Sequence, residues 1–172
     1  MNKNNNPMRT LISLLVVCLA ALTLAGCGFH LRGVVKLPAD MERIYIAGNE
    51  NSSLVRELGL NLRASGVQVV PSAKEATAVL HVSDVAAERR VLSVTAAARV
   101  REYELVSSVH FSVTAADGKT LRPDERVLVA RDFQYDENDI LGTSNQEALI
   151  RKEMQRDLVQ IILRRLQHTT PQ

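Results

Sequence analysis

Cysteine is scarce in this chain: 172 residues hold two, Cys18 and Cys27, both near the start. No thiol pair is therefore expected in the body of the protein, which excludes a disulfide framework and a thiolate metal site. Charge of one sign is also lacking. Lys and Arg number 21 against 19 Asp and Glu, and the surplus is matched by Lys3 and Arg9, which precede an apolar run from Leu11 to Leu24. Without that start the balance is zero, which excludes a generally basic nucleic-acid binder and leaves any anion site to a local patch. No second run of membrane-spanning length follows. The four histidines, His30, His81, His110 and His168, show no metal-ligand spacing. No Gly-rich phosphate loop, nucleophile elbow or paired-carboxylate motif appears, and Asp136–Asp139 lacks a calcium-loop pattern. Neither catalysis, a metal nor a dissociable cofactor is expected.

What is present begins with Leu24-Ala25-Gly26-Cys27, which closes the apolar run. A positive start and about fourteen apolar residues are too few for a permanent bilayer helix, which needs about twenty. Small side chains at Ala25 and Gly26 let the backbone enter a protease cleft, and the Cys27 thiol is the nucleophile that takes a diacylglyceryl group. Residues 1–26 are thus expected to be a lipoprotein signal, and Cys27 to carry S-diacylglycerol and N-acyl lipid. Each buried CH2 contributes roughly 0.8 kcal/mol, so several chains on one residue make a lasting membrane anchor. The competing reading is an uncleaved N-terminal helix with an incidental cysteine. Gly28, where an inner-membrane retention signal would have Asp, resembles the sorting signal of outer-membrane lipoproteins.

Removal of residues 1–26 leaves 146 residues, enough for one domain and too few for two ordinary ones. The expected division is a tether over 27–41, one domain over 42–168 and a tail over 169–172. Arg43–Ala47 reads as a strand bounded by Gly48-Asn49. A helix follows, with Asn51, Ser52 and Ser53 as caps, Leu54, Leu58 and Leu62 at four-residue spacing, and Gly66 as its stop. Gly59 inside it costs about 1 kcal/mol against alanine and suggests close packing. Val67–Val70 is extended, and Ala78 to about Val94 is a second strand. Tyr103, Leu105, Val109, Phe111 and Val113 share one face of a third, with Glu102, Glu104, Ser108, His110 and Ser112 on the other. Asp117-Gly118 is a hairpin turn, and Val127–Tyr135 a fourth strand with Pro123 near its start. Ser144-x-x-Glu147 reads as a capping box opening a helix whose stripe is Ile150, Met154, Leu158, Ile161 and Arg165. The order β-α-β-β-β-α predicts an α+β fold, about four strands with two helices packed on one face. The other face is left to water or a polar partner.

Taken together, the lipobox with Cys27-Gly28-Phe29-His30-Leu31-Arg32-Gly33, the element order, the Glu102-Tyr103 pair and Arg151-Lys152-Glu153-Met154 resemble the LptE family of lipopolysaccharide-assembly lipoproteins. The resemblance implies a protein lipid-anchored at the outer membrane. It would sit largely inside the lumen of the β-barrel LptD and face the periplasm. There it would act as a plug, assist assembly of the barrel and help deliver lipopolysaccharide to the outer leaflet. A sheet with one polar face and no net charge is compatible with the polar interior of a barrel. The alternative is an independent periplasm-facing lipoprotein that binds or carries an amphiphile.

Lipid A joins phosphates to acyl chains, and one stretch offers the matching chemistry. Arg89, Arg90, Arg99 and Arg101 flank Val91–Ala98, so a hairpin turning near Thr95 or Ala96 would gather four guanidinium groups around an apolar tip. Arg99 and Arg101 are in phase with Tyr103, whereas a one-residue slip exchanges the faces of Arg89 and Arg90. The competing reading is a solvated strand end with Arg89 paired to Glu88 or Glu102. The family's lipopolysaccharide-contacting basic residues fall near this tip and before the last helix, where this chain has Ala96 and Thr143. Arg90, Arg99, Arg101 and Lys152 are the candidates in their place.

Overall fold

The computed structural model describes residues 37–168. The signal, Cys27, most of the tether and the tail lie outside the described residues. One mixed sheet runs in the order β2-β1-β3-β4-β5, with β1 over Arg43–Ala47, β2 over Gln68–Val69, β3 over Ala78–Val94, β4 over Val100–Ala115 and β5 over Thr120–Gln134. Helix α1 spans Ser53–Ala64 and α2 spans Ile140–Gln167. The α+β class and the two helices agree with expectation. The strand count is five, because Gln68-Val69 pairs parallel to Arg43-Ile44. Two residues carry too little alternation to announce a strand; their pairing is fixed by α1 returning the chain beside β1.

Both helices cover one sheet face. Leu54, Leu58 and Leu62 of α1 and Met154, Leu158 and Ile162 of α2 share a core with Ile44, Leu80, Val82, Leu105, Val109, Phe111 and Val113. Each such side chain, once fully buried, contributes on the order of 1.5–3 kcal/mol. Gly66, at a φ of +86°, ends α1; its N–H donates to the Arg63 carbonyl and that of Val67 to Leu62. Gly59 is a correction in part. It is buried, yet a Cβ there would meet Ile46 at 3.5 Å, an ordinary contact, so packing does not require glycine.

Two further boundaries moved. Helix α2 begins at Ile140 rather than at the Ser144 box, because the Asp139 carboxylate accepts from the Gly142 N–H at 2.9 Å and caps it five residues before Ser144. Strand β5 begins at Thr120 and includes Pro123. It is an edge strand, and its register to β4 slips beside that proline, between Phe111↔Glu125 and Val113↔Arg122, so the missing donor breaks no ladder. The face opposite the helices carries Glu88, Arg90, Glu102, Glu104, His110 and Ser112, and no described helix packs on it. Ser108, expected to be wet, is buried there and its hydroxyl accepts from Arg126 at 3.1 Å.

Candidate functional site, the hairpin end of the sheet

Strands β3 and β4 continue past the helix-covered core and turn at Thr95–Ala98, as the sequence predicts. The Ala98 N–H donates to the Thr95 carbonyl at 2.9 Å, and Ala98 takes a φ of +58°. On the way, β3 carries a bulge. Asp84 has a φ of +48°, and the pairing jumps from Ser83↔His110 to Ala86↔Ser108. The extra residue inverts the alternation. Ala78, Leu80 and Val82 face the core before it; after it, Arg89 stands opposite Leu105, and Val91 opposite Tyr103. The expected gathering of all four guanidinium groups is therefore corrected at Arg90. Arg90 lies on the far face, opposite Glu104, with its guanidinium on Glu88 at 2.6 Å. The hydrogen bond to Glu88 raises its pKa further.

Arg89 takes the place on the core-facing side. Its guanidinium carbon sits 4.6 Å from the centre of the Tyr103 ring, and its Nη1 lies 3.2 Å from Glu147 of α2. The pairing expected for it, with Glu88 or Glu102, is not formed: Glu88 holds Arg90, and Glu102 accepts from the Ser93 hydroxyl. Tyr103 stacks on Phe133 at 5.8 Å and meets Tyr135 edge-on at 5.3 Å. Three of the chain's six Phe and Tyr residues thus form one cluster around Tyr103, the ring that carries the Arg89 guanidinium. Such contacts contribute on the order of 0.5–1.5 kcal/mol each. Sequence reasoning missed Phe133 and Tyr135, although their two-residue spacing at the end of β5 puts them in phase with each other.

Arg99 reaches the loop before α2, with Nη1 3.3 Å from Glu137. Arg101 is exposed and unmatched in register, between Glu102↔Ser93 and Val100↔Val94. Its carbonyl accepts from the Tyr135 N–H at 2.9 Å, while its side chain has no hydrogen bond or ion pair among the described residues. Lys152 is exposed on α2, next to Arg151. Thr143 is buried with its hydroxyl 3.4 Å from the Asp136 carbonyl, so that position presents no side chain to a ligand. The structure thus brings Arg89, Arg99 and Arg101 to one end of the sheet and turns Arg90 to its opposite face.

That end is apolar as well as cationic. Among the described residues nine large hydrophobics are exposed, and six of them lie here: Val91, Leu92 and Val94 on β3, and Ile140, Leu141 and Leu149 in the first half of α2. Apolar side chains left in water together mark a contact surface. Within the described residues no His, Cys, Asp and Glu cluster is arranged to hold a metal, and no helix is long and apolar enough to cross a membrane.

A family model described as lipopolysaccharide-assembly, LptE, matches residues 41–166. The chain is 28% identical over 160 residues to the LPS-assembly lipoprotein LptE of Photorhabdus laumondii, covering 92% of this chain and 87% of that one. The protein of the same description from Pectobacterium atrosepticum is 29% identical, covering 92% and 86%. Among solved structures, lipoprotein B from Nitrosomonas europaea superposes with a TM-score of 0.69 at 31% identity, covering 80% of this chain and 88% of that one. The rare lipoprotein B from Shewanella oneidensis gives 0.64 at 26%, covering 72% and 92%. The family match takes in the whole sheet, both helices and the arginine-bearing hairpin, and on that span the chain belongs to the LptE family of lipopolysaccharide-assembly lipoproteins.

Proposed function

We propose that this lipoprotein is anchored at the outer membrane through lipid on Cys27, sits in the lumen of the barrel LptD as plug and assembly partner, and contacts lipopolysaccharide through its hairpin end. The observation that carries the lipopolysaccharide contact is the gathering of six exposed apolar side chains with Arg89, Arg99 and Arg101 at that end. Guanidinium groups hold phosphate by charge and by paired donors, and the apolar residues meet acyl chains. The uncovered polar sheet face supports the barrel partnership, since a barrel interior is polar and closed around what it contains. No step in this role makes or breaks a bond.

The test is a mild-detergent pull-down of the tagged, processed lipoprotein from outer membranes, with mass spectrometry of the partners and a lipopolysaccharide blot. A stoichiometric large β-barrel together with lipopolysaccharide is expected. Recovery of the lipoprotein alone, under conditions that preserve other membrane complexes, would overturn the plug and leave an independent amphiphile binder as the better account.

A further inference from the structure

Glu147 is unusual among the acidic residues of the hairpin end, because two arginines from different elements converge on it. Arg151, one turn along α2, places Nε at 2.8 Å and Nη2 at 2.7 Å from Oε1, and Arg89 of β3 places Nη1 3.2 Å from Oε2. The carboxylate is the best shielded of the three, its side chain 17% exposed against 30% for Arg151 and 48% for Arg89. Two positive charges on one negative charge leave the group with a surplus of one. Neither arginine depends on Glu147 alone for its place, since Arg89 also lies over the Tyr103 ring at 4.6 Å and Arg151 is carried by the helix.

We infer that Arg89 and Arg151 form a two-guanidinium anion clamp in which the Glu147 carboxylate occupies the position of a ligand phosphate. This rests on the lipopolysaccharide reading above and names a subsite within it. A phosphate monoester carries about −1.5 to −2 charge at pH 7 and three acceptor oxygens, against one charge and two oxygens for the carboxylate. It satisfies both arginines more fully than the resident group does. Val91, two residues along β3 from Arg89 and opposite Tyr103, is exposed beside the clamp and supplies apolar surface for the acyl part of the same molecule. The ligand class is a phosphorylated amphiphile. Glu147 acts as an internal competitor that keeps the arginines ordered and weakens binding of anything less charged.

The experiment measures affinity of the full processed chain, in a nonionic detergent, for purified lipopolysaccharide carrying its lipid A phosphates and for the same material dephosphorylated. Removal of a competing ion pair of this exposure is expected to make Glu147→Gln bind the phosphorylated form about two- to five-fold tighter. The gain should vanish with the dephosphorylated form, and Arg151→Gln should bind the phosphorylated form more weakly than wild type. Thermal melting of both variants confirms that α2 stays seated. Unchanged or weaker binding by a folded Glu147→Gln protein, or a gain that survives dephosphorylation, overturns the clamp while wild-type binding leaves the proposed function standing. If the wild-type chain binds neither form, the lipopolysaccharide contact itself fails and the clamp with it.

Discussion

The two halves of the sheet are built to different rules. Under the helices, alternate side chains are wholly buried: Leu80, Leu105, Val109, Phe111 and Val113 have no exposed surface, and α1 and α2 close over them. Beyond that cover the same strands continue with exposed valines and leucines, and their contacts are surface ion pairs together with the aromatic cluster around Tyr103. The first half of α2 repeats the contrast along one helix. Thr143 is the only buried residue between Ile140 and Glu153, whereas Met154, Leu158, Val159, Ile162, Leu163 and Leu166 are buried beyond it. The covered half holds the fold, and the uncovered half is available to something outside the chain.

The largest expected effect therefore lies in the covered half. Phe111 stands in the middle of β4 with no exposed surface, between helices and sheet. Phe111→Ala leaves a cavity that a close-packed core closes only in part, and the expected loss is about 3–5 kcal/mol. Urea unfolding followed by circular dichroism measures it. A loss below about 1 kcal/mol would mean that the core is not the source of stability.

A smaller effect of opposite sign is expected at Gly59. Its backbone is helical, and a Cβ would fit against Ile46 at 3.5 Å and Arg63 at 3.6 Å. The helical preference of alanine should then stabilise Gly59→Ala by up to about 1 kcal/mol. Gly59 also lines an open groove of about 410 Å3 with Tyr45, Val55 and Leu60, which the new methyl would narrow. A fall in melting temperature would show that α1 sits closer to β1 than the distances state.

Much of the covered half was legible in the sequence, because burial on one face writes a period into the residues. Arg43–Ala47 is bounded as the sequence predicts, and the Tyr103-to-Val113 alternation locates the buried face of β4. The uncovered half was legible in composition but not in contact. The turn at Thr95–Ala98 falls where the flanking arginines put it, yet which arginine faces which way was decided by the bulge at Asp84, and a single extra residue leaves no periodic trace. Likewise Ser144-x-x-Glu147 is a sound capping signature that lost to Asp139, whose carboxylate reaches the Gly142 N–H first along the chain. Glu147 was then free to pair with Arg89 and Arg151, partners 58 and 4 residues away. Local patterns record local competition only when the winner is also the stronger signal.

The smallest expected change in stability is at the tip, and there the contrast between the halves is sharpest. Leu92 and Val94 are 50% and 56% exposed. Leu92 is the extra residue of the register shift between Val91↔Tyr103 and Ser93↔Glu102, so its side chain has no cross-strand partner to lose. Replacing both by serine removes apolar surface that water already reaches, and unfolding free energy should move by no more than about 0.5 kcal/mol. If the tip served the fold, as the residues of the covered half do, the double variant would melt early. If it serves a partner, the variant melts with wild type, and its recovery of lipopolysaccharide in the pull-down falls. A loss of stability comparable to that of Phe111→Ala would erase the distinction between the halves, because apolar groups half in water would then be holding the sheet as firmly as those wholly out of it.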